Sequence, residues 1–220
     1  MPVELKIEIV SDVSCPWCII GYKSLHSALE KLAPHVTAQI TWRPFELNPN
    51  MAAAGQLLEE HLREKYGSTR ADLERTTRMI AARGADLGFT FNFADNGRIY
   101  NTFSAHRLLL WAKQADKQTD LKLALFTLYF SDGGNPSDPE ALVRTASSVG
   151  LSGQDARKIL DSDRFGEAVR EDEASTLSMG ITMVPTFIIN RNHRITGGQP
   201  VETFVSMLGQ IAANGPSKSA

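Results

Sequence analysis

Apolar and polar positions alternate across residues 5–10 (LKIEIV), with isoleucine and valine prominent, and this period of two predicts a strand. The register changes at SDVSCP. Ile19, Ile20, Leu25, Leu29 and Leu32 then recur at helical spacing as far as about Ala33, and Pro34 marks the stop. Ser14 is the expected cap of this helix, and Pro16 suits its first turn. Residues 36–45 (VTAQITWRPF) predict a second strand, closed at Pro44. Strand, helix and strand in this order predict a parallel pair joined by a right-handed crossover.

The middle of the chain has a different pattern. GQLLEEHLREKYG and TRADLERTTRMIAARGADLG read as helices, the second with Gly84 as a weak spot and Gly88 as a stop. FTFNF is a short extended piece. NTFSAHRLLLWAKQA predicts a helix capped by Asn101 or Thr102, and TDLKLALFTLYF a strongly apolar one in which Tyr129 and Phe130 are expected as core. Further helices are expected in DPEALVRTASSVGL, in GQDARKILDS and over residues 164–177. Strand signal is scarce from Pro49 to Met179. It returns in MVPTFIIN and HRITG, which predict a hairpin of residues 186–190 and 193–196 turning at Arg191 and Asn192, followed by a closing helix from near Pro200.

The order predicts an α/β fold in which a large helical insertion separates strand–helix–strand and strand–strand–helix halves of one sheet. Residues 1–48 and 180–214 are expected to form the sheet domain, residues 49–179 the inserted helical domain and residues 215–220 a flexible tail. A chain of 220 residues is long enough for this. The formal net charge of −2 gives no field that would draw nucleic acid or anionic lipid. MPVELKIEIV has Glu4 and Glu8 where a secretory signal needs an apolar core, and no stretch approaches the roughly 18 apolar residues of a membrane span. The cytoplasm is the expected compartment, and no membrane or nucleic-acid partner is expected. No helix carries a coiled-coil repeat from which an oligomeric state can be read.

The chain has two cysteines, Cys15 and Cys18, at the first strand-to-helix junction. A helix start presents free amide N–H groups and the positive end of the dipole, which favour a thiolate at Cys15. Cys18 lies one turn on, on the same face. One thiol can therefore attack a disulfide and the other resolve the mixed disulfide. Pro16 stiffens the turn, and Trp17 sets a flat apolar surface beside the sulfur. Two other readings of the spacing stand beside redox chemistry. The pair can be ordinary core cysteines, or half of a zinc site completed by His26, His106 or His193. CxxC beside a strand–helix–strand pattern favours redox chemistry. Pro185 opens the third strand; a cis bond before it would leave the backbone of Val184 facing open space, where a substrate segment can pair.

SDVSCPWCIIG, NTFSAHRLLLWA, LYFSDGGNPSDPEAL and GITMVPTFIINRNHRITGGQP together resemble the DsbA-like thioredoxin superfamily, most closely its cytoplasmic FrnE-like branch of dithiol-disulfide oxidoreductases and isomerases. The resemblance spans nearly the whole chain. It implies a thioredoxin-like fold with a helical insertion, Cys15 as an exposed nucleophile and Cys18 as a buried resolving cysteine. It also implies Pro185 as a cis-proline opposite them, with Val184 engaging substrate through its backbone. Asn101 and His106 match polar positions that relatives turn towards the cleft; read from the residues alone, Asn101 is equally a helix cap and His106 a packed histidine. Trp17 stands where periplasmic relatives carry a histidine that strengthens oxidising character. The second cysteine pair that some FrnE-like proteins have near the C-terminus is absent from SMLGQIAANGPSKSA.

The function expected is thiol–disulfide exchange on a protein, peptide or small thiol, without metal, flavin or nucleotide, since no glycine-rich dinucleotide fingerprint is present. An external thiol such as glutathione, or a redox protein, would exchange the electrons. The alternatives are a glutathione-dependent transferase or isomerase of small molecules, and a chaperone-like peptide-binding protein.

Overall fold

In the computed structural model, which describes residues 2–52, 54–94 and 97–214, β1 (Val3–Ser11) buries Leu5, Ile7 and Ile9 on one side of its pleat. Beyond Ile9 the alternation ends: Val10 and Ser11 are buried as well, because packed chain covers both faces at the carboxyl end of the strand. α1 (Pro16–Leu32) follows, and β2 (Val36–Pro44) runs parallel to β1 in the register Val3–Val36 to Ser11–Pro44. The far end of the chain supplies β5 (Thr186–Ile189) and β6 (His193–Thr196), each antiparallel to its neighbour, so that the sheet order is β2-β1-β5-β6. The closing helix α9 (Val201–Asn214) packs on α1. This is a thioredoxin-like α/β fold. The hairpin strand ends at Ile189 rather than at residue 190, because Asn190 and Arg191 take left-handed backbone (φ 50° and 65°) to make the turn.

Between the halves run α2 (Leu58–Tyr66), α3 (Arg70–Asp86), α4 (Phe103–Lys113), α5 (Gln118–Phe126), α6 (Pro139–Ser148), α7 (Gly153–Leu160) and α8 (Gly166–Ser178). Two short strands escaped the sequence pattern. β3 (Gln56–Leu57) and β4 (Arg98–Ile99) pair antiparallel, and two residues each are too few to show a period. Residues 89–93, expected to be extended, form no strand; Phe89, Phe91 and Phe93 instead pack ring against ring, and Phe91 and Phe93 meet the Phe130 ring edge-on. Gly84 does not weaken α3, because its missing side chain is where the Phe91 ring lies. The apolar helix of residues 119–130 is not uniform: after Phe126 it loosens into a π-helical turn, Thr127–Ser131. Residues 215–220, expected as a tail, lie outside the described residues.

One core cluster joins the sheet and α1 to the middle of the chain, with Ile80, Phe91, Phe126 and Phe130 packed together with Ile7, Cys18 and Trp42. A second, built around Leu108, Leu121, Leu142 and Ile159, lies among the helices.

Candidate active site

Cys15 ends the loop from β1 and is itself the N-cap of α1, with Pro16 at the first helical position. Ser14, the expected cap, does not accept a helix N–H; its own N–H donates to Asp12 Oδ1 at 3.2 Å. Asp12 organises the whole loop. Its Oδ2 accepts the Leu47 N–H at 2.7 Å, tying the segment after β2 to the one after β1. Asp12 is 1 % exposed, and burial alone would raise its pKa. His106, the Leu47 N–H and the Lys122 ammonium outweigh that and hold it at about 2.

α1 closely approaches the turn that carries Val184 and Pro185. A Cβ at Gly21 would come within 2.9 Å of Phe187 Cζ and 3.2 Å of Pro185 Cγ, so glycine is what lets the helix lie against this turn. The Val184–Pro185 bond is cis. The Val184 carbonyl does not face open space as expected; it accepts the Cys15 S–H at 3.7 Å, because the close packing sets it opposite the helix tip. Among the described residues the Val184 N–H has no protein partner.

Cys15 is not at a solvent-open tip either. It is 4 % exposed, and Cys18 is wholly buried. Cys15, Pro16, Trp17 and Val184 line a cavity of about 550 Å³ together with residues from the middle of the chain. Leu62 of α2, Ile80 of α3, Tyr100 after β4, and Tyr129 and Phe130 of the π-helical turn also line it. Tyr129 and Phe130 thus belong to the core and to the cavity wall at once. Trp17 is not fully available as a flat surface, since the Arg83 guanidinium sits 5.4 Å from its ring centroid.

Both cysteines are free thiols, and the ionisation of each depends on the other. The expected preference of Cys15 for the thiolate is reversed. Its interaction with the neighbouring Cys18 sulfur raises its pKa well above that of an ordinary thiol, and burial and the Asp12 charge add to this. Cys18 moves down. Burial opposes its ionisation, but the Cys15 S–H, the Lys122 ammonium and the Ser11 hydroxyl overcome it. The pair is best treated as one acid whose first proton leaves readily and whose second is held.

Lys122 escaped the sequence reading. It is 0 % exposed on α5, its Nζ donates to Ser11 O at 3.3 Å, and it lies 5.3 Å and 5.0 Å from the centroids of Trp42 and Phe126. Burial lowers its pKa to about 8, against the pull of Cys18, Asp12 and Cys15. The one available signal was a lone lysine between Leu121 and Leu123, in the otherwise apolar run LKLALF.

Asn101 and His106 stand behind the cavity wall rather than on it. The Asn101 Oδ1 accepts the Phe103 N–H at 2.9 Å, and its Nδ2 donates to Glu46 Oε2 and to Pro49 O at 3.2 and 3.1 Å, so it is spent on the start of α4 and on the loop after β2. His106 is buried, with Nε2 3.6 Å from Asp12 Oδ1, and touches the active site only through Asp12. Of the zinc candidates, His26 pairs with Glu30 on the surface at 3.5 Å and His193 is exposed on β6. Among the described residues no three His, Cys, Asp or Glu side chains are placed to share a metal ion.

Over residues 6–209 the sequence matches the DSBA-like thioredoxin domain. The uncharacterized protein YwbO of Bacillus subtilis (strain 168) is 25% identical over 188 residues, which span 85% of this chain and 88% of that one. A probable DsbA oxidoreductase from Streptomyces coelicolor has a similar structure, with a TM-score of 0.90 at 29% identity, over 98% of this chain and 92% of that one. The cytosolic disulfide reductase DsbM from Pseudomonas aeruginosa, solved with GSH, is alike in fold, with a TM-score of 0.64 at 17% identity over 93% of this chain and 98% of that one.

Proposed function

The chain belongs to the DSBA-like thioredoxin domain family, and from that premise we propose that it is a thiol–disulfide oxidoreductase with Cys15 as nucleophile and Cys18 as resolving cysteine. The observation that carries this reading is the unequal access of two neighbouring thiols one helical turn apart. Cys15 lines the cavity, and Cys18 has no exposed surface.

Cys15 attacks one sulfur of a substrate disulfide as its proton passes to Cys18, the member of the pair that ionises first. The substrate S–S bond breaks, a thiolate leaves and a mixed disulfide forms at Cys15. Cys18 then loses its proton, favoured by the Lys122 charge, and attacks Cys15 Sγ. The second substrate thiolate departs, the substrate has gained two electrons, and the enzyme holds a Cys15–Cys18 disulfide. An external dithiol, or two thiols such as glutathione, returns it to the reduced form; run backwards, the same steps oxidise a dithiol. The Val184 N–H and the apolar faces of Pro16 and Trp17 are the groups available to position substrate beside the sulfur. The reaction needs no metal or organic cofactor of the protein's own.

The cytoplasm is the compartment we assign as part of the same proposal. The DsbM of similar fold is described as cytosolic, and no described helix is long and apolar enough to cross a membrane. The cavity also suits a second reading, a glutathione-dependent transferase or isomerase. Replacing Cys18 with serine separates the two. Exchange then stops at a mixed disulfide on Cys15, detectable as a mass adduct, whereas an isomerase that uses a single residue keeps turning over.

A further inference from the structure

Cys15, 4 % exposed, lines the cavity, so the shape and charge of the cavity act on any disulfide that reaches it there. At about 550 Å³ the cavity has room for a drug-sized ligand. Two helices give it an apolar wall. Leu58, Leu62 and Tyr66 recur at one-turn spacing on α2 and all line it, as do Leu73 and Ile80 two turns apart on α3. No α2 residue is buried, so the apolar face of this helix is turned towards the cavity instead of a core. An apolar body placed against it would take that face out of water.

The charge of the wall has one sign. Among the described lining residues none is acidic, whereas Lys65 of α2 and Arg98 of β4 are cations. Lys65 Nζ donates to Asn48 Oδ1 at 2.9 Å and to Leu47 O at 3.2 Å. Arg98 Nε donates to Ala54 O at 3.1 Å and its Nη2 to Gly55 O at 3.0 Å. These acceptors are all neutral oxygens. They orient the two cations without cancelling their charge, and both keep N–H donors for a further acceptor. Lys65 is held against the loop that Asp12 ties to the Cys15 turn: Leu47 and Asn48 line the cavity, and the Leu47 N–H donates to Asp12. The Lys65 charge also reaches His61, a lining residue one turn away, whose pKa is lowered by burial and then by that charge. A carboxylate entering here meets cations that no lining carboxylate has claimed.

Resting on the thiol–disulfide reading above, we propose that the substrate is a small disulfide that carries a carboxylate on an apolar body. The body lies against α2 and α3, the carboxylate at Lys65 with Arg98 as the second cation, and one sulfur at Cys15. In the reducing direction Cys15 forms a bond to that sulfur, the S–S bond breaks and the first carboxylate-bearing thiolate leaves. Cys18 closes the Cys15–Cys18 disulfide and expels the second, the two thiol protons pass to the leaving thiolates or to water, and an external dithiol supplies the two electrons for the next cycle. Glutathione disulfide shares the carboxylates but lacks the apolar body.

The test is a stopped-flow single turnover of the reduced full-length chain with four disulfides. These are 5,5′-dithiobis(2-nitrobenzoate), aromatic and dianionic; 4,4′-dithiodipyridine, aromatic and neutral; glutathione disulfide, anionic without an apolar body; and cystamine, cationic. Each rate is divided by that of the same reagent with free mercaptoethanol. The aromatic dianion is expected to saturate and to lead both the neutral aromatic reagent and glutathione disulfide by roughly tenfold, with cystamine last. Lys65→Met should shrink the dianion-to-neutral ratio about tenfold, and Lys65→Arg, which keeps the charge, should restore it. Leu62→Asn should shrink the lead of the aromatic dianion over glutathione disulfide. Dye binding gives a readout that needs no exchange chemistry: 1-anilinonaphthalene-8-sulfonate should bind about tenfold more weakly to Lys65→Met than to the wild type, with a smaller change for its uncharged parent N-phenyl-1-naphthylamine. Equal normalised rates, a lead for the neutral reagent or a lead for glutathione disulfide would overturn the proposal while leaving exchange chemistry intact. A Lys65→Met protein with an unchanged ratio and unchanged dye affinity would overturn it too. If no disulfide reacts at Cys15, the exchange reading itself fails, whatever the dyes show.

Discussion

The two ends of the CxxC turn face different surroundings although a single helical turn separates them. Cys15 looks into a wide apolar cavity and touches the Val184 carbonyl, whereas Cys18 is sealed beneath the helix, next to Ser11 and a lysine enclosed by Trp42 and Phe126. The contrast separates two properties that a helix-end argument merges. Access to substrate belongs to one sulfur and stabilisation of charge to the other. A dipole acts on both ends of a turn within a few ångströms, but a buried cation at one end acts far more selectively.

The largest effects come from removing either sulfur. Cys15→Ser is expected to bring disulfide reduction down to the uncatalysed rate, measured with a small disulfide and an external thiol. Cys18→Ser is expected to abolish turnover while leaving a stable adduct on Cys15, read by intact mass. Adduct formation at residue 18 in the Cys15→Ser protein would erase the proposed division of labour.

Lys122→Met probes the sealed side. The substitution keeps the volume but leaves the buried Asp12 charge and the Cys18 thiolate without their cation, so the melting temperature should fall. The Cys18 thiolate loses a cation, and release of a preformed mixed disulfide should slow about three- to tenfold, since the lost thiolate fraction is partly offset by greater intrinsic nucleophilicity. Unchanged release kinetics would mean that Lys122 serves packing alone.

The smallest effect lies one layer further out. Glu46 accepts hydrogen bonds from Arg170 and Asn101, yet burial, followed by the neighbouring Glu173, raises its pKa to about 7. A carboxyl whose folded pKa exceeds its unfolded value of 4.5 binds more protons in the native state between those values. Its contribution is therefore fully present below pH 4.5 and is lost as pH rises through about 7. Denaturant unfolding across this window should show stability falling for the wild type and a flatter profile for Glu46→Gln. Parallel profiles would remove Glu46 from the account. Asp12, held at about 2, acts in the opposite sense, with its contribution lost only as pH falls below 3.8.

The sequence makes one end of the site legible and hides the other. The alternation in residues 5–10, the helical spacing from Ile19 to Leu32 and the return of strand pattern after Pro185 are local signals, and each corresponds to an element that places Cys15, Cys18 or Pro185. Lys122 is 104 residues from Cys18 and reaches it only through the packing of α5 on β2, so no local pattern connects them. Asp12 looked like an ordinary polar residue at a strand end until Leu47 and His106 were seen to converge on it. Asn101 and His106 show the limit of a motif match. The helix that follows Asn101 and holds His106 is present, but Asn101 is spent on Glu46 and Pro49, and His106 Nε2 lies 3.6 Å from Asp12 without a hydrogen bond, neither of them lining the cavity. The cavity is equally non-local, since its wall is drawn from α1, α2, α3, the segment around β4 and a π-helical turn that no propensity rule announces.

The most direct test of the central claim is the pH dependence of iodoacetamide alkylation of the reduced protein, with the modified residue identified by peptide mass. The first apparent pKa should lie below that of an ordinary thiol, because Cys18 stabilises the shared charge, while the label accumulates on Cys15, because only that sulfur meets the cavity. Label on Cys18, or an ordinary thiol pKa with no preference between the two, would contradict it.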